Sequence, residues 1–235
     1  MVTFLVILSR EMNKNSRFTS TDSFIWIIIG IAIVLFIGGV FYLAGSSKKQ
    51  EGEDLVQFVD NNTESYFKGS SDAKVILVEF SDFECLACAQ YSQILRQIDE
   101  SYRDDVKIVF RHFPLESIHE NAMFAANAAE AAGTRGKFWK MHDIVYEKQS
   151  EWNSLSGDEL LAKFLEYASE IGINDIDEFS KEIRDTVYQE KINKDLDAAN
   201  QLNLNSTPTI FLNGVQLSNS TFSNLEKEIA AILEE

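Results

Sequence analysis

Cys85 and Cys88 are the only two cysteines among 235 residues, and they stand close together in Phe83-Glu84-Cys85-Leu86-Ala87-Cys88. Any intramolecular disulfide must join this pair. The loop it closes is tiny, so the bond gains little from restricting the unfolded chain. Its value is chemical, as a reversible thiol–disulfide couple. Lys74–Phe80, before the pair, is apolar at nearly every position and predicts a strand buried on both faces. A helix is predicted after it, from about Leu86 to Ser101. A CxxC at such a junction puts the first sulfur at a helix N-terminus. Unpaired backbone N–H groups and the positive end of the macrodipole favour a thiolate there. Thiols so placed have pKa values lowered to about 3.5–7.5 and become the attacking sulfur. Cys85 is therefore the expected nucleophile. Cys88, one turn in, is the expected resolving thiol and the more buried of the two.

Other elements must hold this junction in place. Asp105–Phe113 predicts a second strand, ended by Pro114, which cannot donate to a ladder. Residues 116–202 show no strand pattern. Asn121–Ala132, Lys137–Gln149, Ser156–Ile171 and two segments within Asp175–Leu202 predict helices. Ser156-Gly157-Asp158-Glu159 has the form of a capping box. β character returns at Thr207–Leu212, then Asn213-Gly214 signals a hairpin into Val215–Leu217. Ser223–Leu233 predicts a last amphipathic helix. Strand, crossover helix, parallel strand and antiparallel hairpin form a thioredoxin-like order, and a CxxC beside such a βαβ unit reads as a redox motif.

Four blocks, in order, resemble the DsbA-like thiol–disulfide oxidoreductases, in particular the membrane-tethered, single-domain kind. They are Val78-Glu79-Phe80-Ser81-Asp82-Phe83-Glu84-Cys85-x-x-Cys88, Phe110-Arg111-His112-Phe113-Pro114-Leu115, Gly136-Lys137-Phe138-Trp139-x-Met141-His142-Asp143 and Thr207-Pro208-Thr209. The resemblance covers about residues 66–234 and implies an α/β, thioredoxin-like fold with a helical insertion domain. It implies a cis proline at Pro208 facing the CxxC, with the backbone of Thr207 open to pair with an extended substrate strand. Glu79, inside an otherwise apolar strand, stands where family members carry a buried acid. Such a carboxyl has a raised pKa and can exchange a proton with a thiol near neutrality. The family usually has proline after the first cysteine and often histidine before the second. Leu86 and Ala87 fill those places here, so the couple is expected to be less oxidising than in histidine-bearing members.

The implied activity is insertion of disulfides into unfolded or reduced exported proteins, with a quinone-linked membrane partner as reoxidant and no metal or organic cofactor. The same site run backwards is a disulfide reductase or isomerase. A client-binding chaperone module is the alternative of a different class. A zinc site from Cys85, Cys88 and two of His112, His119 and His142 fits poorly, because the histidines lack paired spacing. His119 reads as structural, or as part of the surface above the site.

Charge is placed unevenly. Residues 1–50 hold five basic and two acidic side chains, a surplus of three positive charges, so the net −16 leaves −19 on the remainder. An acidic globular part argues against nucleic-acid binding, which needs a basic footprint. Phe24–Ala44 is an uncharged run of 21 residues. At about 1.5 Å per residue it spans a hydrocarbon core of about 30 Å. Trp26 and Tyr42 mark its two ends, and it is longer than the signal-peptide core of about 7–15 residues, while the small residues Ala44-Gly45-Ser46 leave cleavage open as the alternative. The expected organisation is a cytoplasmic segment over 1–23, a transmembrane anchor over 24–44 and a tether over 45–65, with a short strand at Leu55–Val59. The redox domain over 66–235 then faces the extracytoplasmic side. Met1–Leu8 is too short to span. It reads equally as an interfacial segment or as an extension upstream of a start at Met12.

Overall fold

A computed structural model describes residues 65–218 and 220–234, together with Ile29, Ile31–Val34, Phe36 and Ile37 of the apolar run. Two compact units divide the chain, Met1–Gln50 and Glu51–Glu235. In the first, the described residues of the run are helical and exposed. Among the described residues no helix is long and apolar enough to cross a membrane. The rest of the expected span, the segment 1–23, the tether up to residue 64 and the strand expected at Leu55–Val59 lie outside the described residues.

The second unit opens with β1 (Phe67–Gly69), β2 (Val75–Ser81), α1 (Leu86–Tyr102) and β3 (Val106–His112). Five helices follow: α2 (Ala122–Gly133), α3 (Phe138–Glu147), the short α4 (Gln149–Trp152), α5 (Gly157–Glu170) and α6 (Ile176–Arg184). The chain then runs through α7 (Gln189–Gln201), β4 (Thr209–Leu212), β5 (Val215–Gln216) and α8 (Phe222–Glu234). The sheet order is β1-β3-β2-β4-β5. β2 and β3 are parallel, with α1 as their crossover, and every other pairing is antiparallel. In the β4–β5 hairpin both Asn213 and Gly214 have positive φ, as a type I′ turn demands. The Asn213 side chain also ties the turn to β2, accepting from the Ile76 N–H at 2.7 Å.

The core follows from strand alternation. Val75, Leu77, Val106 and Ile108 face α1 and α8, packing on Leu95, Ile98, Leu225 and Ile229. Val78, Phe80, Val109 and Phe211 face the opposite way, onto Ala198 and Ala199 of α7. Further along β3, Phe110 joins Phe83 and Cys88 in a third cluster shared with the helices of the insertion. The C-terminal ends of the two parallel strands thus point into the seam between sheet and helical block.

Two sequence expectations are corrected. β1 was not predicted; it pairs with β3, and only glycine fits at Gly69, where φ is +84° and a Cβ would strike the Val106 carbonyl oxygen. Ser156 does occupy the N-cap of α5, but its side chain makes no capping bond.

Candidate functional site

The seam gathers every residue the sequence nominates. β2 ends at Ser81, and the loop Asp82–Glu84 turns the chain into α1. Cys85 is the N-cap residue of that helix, in extended conformation. The Cys85 N–H donates to the Asp82 carbonyl at 3.1 Å, and the Ala89 N–H donates to the Cys85 carbonyl, also at 3.1 Å. The two sulfurs differ sharply. Cys85 is half-buried, while Cys88 is fully buried; both are free thiols. The Cys85 thiol is lowered to about 5. The hydrogen bond from the Cys88 thiol does most, and a contact with Thr207 and the Ala87 and Cys88 N–H groups add to it against the cost of burial. Cys88 is pushed up, first by burial and then by its bond to Cys85 and the charge of Glu79.

Thr207 and Pro208 come from the far end of the sequence. β4 is antiparallel to β2, so the loop before it returns to the end of β2 where α1 begins. The Thr207–Pro208 peptide is cis. The Thr207 carbonyl oxygen lies 3.5 Å from Cys85 Sγ.

Glu79 sits on β2, the middle strand of the sheet, and is 2% exposed. At its register are Phe110 of β3 and Ile210 of β4. Burial raises its carboxyl to about 7, against a hydrogen bond from Ser81 that lowers it, and Cys85 adds a further upward push.

The site also holds residues to which the sequence assigned no part in the chemistry. Ser81 Oγ donates to Glu79 Oε1 at 2.8 Å and stands 2.8 Å from Tyr146 Oη. Gln149 Nε2 donates to the carbonyls of Phe83 and Cys85, at 2.8 and 3.1 Å, and so fixes the approach to α1. Asp82 is buried and accepts from the Glu84 and Leu115 N–H groups, each at 2.8 Å. His119 lies against the same carboxylate at 2.8 Å, which ties the loop above the site to the loop before Cys85. One signal was present for two of them. His142, Tyr146 and Gln149 recur at helical spacing and all three are buried, a polar stripe inside an amphipathic segment. Among the described residues no group of His, Cys, Asp and Glu is arranged to hold a metal ion.

A half-buried thiol lowered to about 5 next to a buried, raised one, beside the Thr207 carbonyl and a buried carboxyl, is chemically equipped for thiol–disulfide exchange. Known proteins lead to the same place. A family model described as Thioredoxin matches residues 61–231. A probable disulfide bond formation protein D of Bacillus cereus is 31% identical over 212 residues, covering 86% of this chain and 93% of that protein. The Na(+)/H(+) antiporter NhaA 3 of Salinispora tropica is 37% identical over 161 residues, 68% of this chain but 23% of the antiporter. The chain therefore spans only about a quarter of the length of the antiporters it matches. Among solved structures, oxidised BdbD from Bacillus subtilis superposes with a TM-score of 0.66 at 22% identity, covering 73% of this chain and 94% of that one. The thiol-disulfide exchange protein α-DsbA2 of Wolbachia pipientis gives 0.64 at 19%, covering 80% and 96%. At those identities the structural likeness speaks for the fold.

Proposed function

The chain belongs to the thioredoxin family, among its DsbA-like thiol–disulfide oxidoreductases, and from that premise we propose that it is a membrane-tethered oxidase of exported proteins. The observation that carries this reading is the asymmetry of the pair: Cys85 lowered to about 5 at a helix start, Cys88 buried and raised. A stabilised Cys85 thiolate stabilises the reduced protein, which makes the disulfide form an oxidant.

The cycle starts from the Cys85–Cys88 disulfide. A client thiolate attacks Cys85 Sγ and a mixed disulfide forms. Cys88 leaves with the electron pair and takes the proton of the Glu79 carboxyl, which near neutrality is still available to give. A second client thiolate then attacks the client's own sulfur. The client disulfide forms, and Cys85 leaves as a thiolate, favoured by its low pKa. Two electrons have passed to the pair. A membrane redox partner removes them, and no metal or organic cofactor enters the cycle. Thr207 offers its backbone to the extended client, with Pro208 shaping the loop.

Residues 24–44 serve as the anchor and 45–65 as the tether, with the domain from residue 66 on the extracytoplasmic side. The absence of charge from this run and the exposure of Ile31, Ile33, Val34 and Phe36 support the anchor. The similarity to the probable disulfide bond formation protein D of Bacillus cereus supports the oxidase direction. The lack of any charged group in Leu86-Ala87 favours the second reading, a reductase or isomerase. The reduction potential of the full chain separates the two. The oxidase reading expects a value between about −120 and −270 mV, and a potential at or below the thioredoxin end overturns it. Protease added from outside the membrane is expected to release the redox domain by cutting within residues 46–64.

A further inference from the structure

We infer that Ser81 and Tyr146 are positioning residues for the Glu79 carboxyl, so that α3 of the inserted helical block governs proton exchange at a group carried by the sheet. The inference rests on the proposed role of Glu79 and concerns what holds that group.

The geometry is a line of hydroxyls. Ser81 Oγ has one proton, and it goes to Glu79 Oε1 at 2.8 Å. At the 2.8 Å contact with Tyr146, Ser81 is then the acceptor and the phenol the donor. The same phenol proton also faces the Asp82 carbonyl oxygen at 3.3 Å, to which Tyr146 donates, so it is shared between two acceptors beside the loop that leads to Cys85. Both side chains are buried, so water does not replace either bond cheaply. Phe83 packs on the Tyr146 ring with centroids 5.0 Å apart, and the indole of Trp152 donates to the Val145 carbonyl at 2.8 Å. The phenol is therefore held by the insertion's own core.

The titratable groups that face Glu79 are Cys85, Cys88 and Tyr91 on α1 and Tyr146 on α3. β3 and β4 present Phe110 and Ile210. Each of those titratable groups is neutral or negative in its two forms, so none favours a carboxylate by its charge. Hydroxyl donation does. A hydrogen bond to the ionised form favours that form and lowers the pKa of a buried acid, and Ser81 lowers Glu79 against its burial. A phenol donating to Ser81 polarises the hydroxyl and strengthens that pull. Without this line a smaller fraction of the carboxyl would be ionised at neutral pH and able to accept a proton from Cys88.

The test follows one half-reaction. Reduced full-length protein is mixed with Ellman's reagent, and release of the second thionitrobenzoate is timed across pH. In that step the Cys88–Cys85 bond forms, the bond from Cys85 to the probe sulfur breaks, and the electron pair leaves on thionitrobenzoate. The Cys88 proton passes to the Glu79 carboxylate. The expected rate profile has an inflection that Glu79→Gln removes. Ser81→Ala moves it up by about one pH unit, the scale of one hydrogen bond to a charge. Tyr146→Phe moves it the same way by less, and Ser81→Thr, which keeps the hydroxyl, returns it to the wild-type position. If Ser81→Ala and Tyr146→Phe leave the inflection at its wild-type pH while Glu79→Gln still removes it, the inference is overturned and the role of Glu79 stands. If Glu79→Gln itself changes nothing, both are overturned.

Discussion

Two buried glutamates of one domain show what partners do to the same side chain. Glu79 on β2 and Glu130 on α2 are 2% and 1% exposed, and burial raises both. Their outcomes are opposite. Glu130 lies 2.9 Å from His112 Nε2 and 2.6 Å from Lys191 Nζ, and those groups outweigh the burial and lower it. Tyr66 adds a hydroxyl at 3.3 Å, and the Lys191 ammonium sits over the Tyr66 ring. Glu79 has a hydroxyl and two thiols instead, and stays up at about 7. A carboxyl held by an ammonium and an imidazole nitrogen is lowered and acts as a structural pin between α2, β3 and α7. A carboxyl left with hydroxyls changes form near neutrality, which is what proton exchange requires.

The comparison breaks most visibly in stability. Removing one member of a buried charged cluster strands the others, so Glu130→Gln is expected to destabilise the domain by about 3–5 kcal/mol at pH 7. Because the folded pKa of Glu130 is lowered from 4.5, the stabilisation is complete above about 4.5 and fades as pH falls below it. Denaturant unfolding of the variant at pH 7 and at pH 4 measures this, and an equal loss at both would show that packing rather than charge holds α2. Glu79→Gln runs the other way. Its folded pKa is raised from 4.5 to about 7, so burial costs nothing below the lower value, more through the interval and a constant amount above it. The glutamine variant is then up to about 3 kcal/mol more stable than wild type at pH 8 and equal to it at pH 4. No gain at pH 8 would put the carboxyl in contact with solvent or with a cation.

The two thiols sharpen the same contrast on a smaller scale. At pH 7 Cys85 is nearly all thiolate while Cys88 is nearly all thiol. Iodoacetamide should therefore modify Cys85 at least about a hundredfold faster, from ionisation alone. Cys88→Ala is expected to trap clients through Cys85. Faster labelling of Cys88, followed by peptide mapping, would reverse the assigned roles.

The sequence shows the site better than it shows its supports. The strand, the CxxC and the helix follow one another directly, so local pattern places Cys85 at the start of α1. The hairpin is equally local, written in Asn213-Gly214. The cis form of Pro208 was an expectation of resemblance, because nothing in Thr207-Pro208-Thr209 reveals what faces it. β1 has three residues and no periodicity; it exists through its pairing with β3 and the tight approach at Gly69. Glu130 lies in an alanine-rich helix whose pattern marks it as helical but not as the meeting point of His112 and Lys191. Tyr146 and Ser81 are 65 positions apart, and a hydroxyl contact between distant elements leaves no local mark in either.

The smallest expected effect concerns the dipeptide Leu86-Ala87, where this chain departs from its family. Both side chains are exposed at the first turn of α1, and the donors that lower the Cys85 sulfur there are backbone, the Ala87 and Cys88 N–H groups. The helix start and the Cys88 thiol thus lower Cys85 without any fixed positive charge in the dipeptide. An imidazolium at position 87 would add one at short range, and an opposite charge favours the charged form of its neighbour. Ala87→His should lower the Cys85 pKa further, by about one unit, stabilise the reduced protein by about 1.4 kcal/mol and raise the potential by about 30 mV. Equilibration of the full chain with glutathione at pH 6 and pH 8 reads this out. The gain should be larger at pH 6, where more of the new histidine is charged. A potential unchanged at both pH values would mean that backbone donors already fix the poise of this couple and that the dipeptide side chains do not.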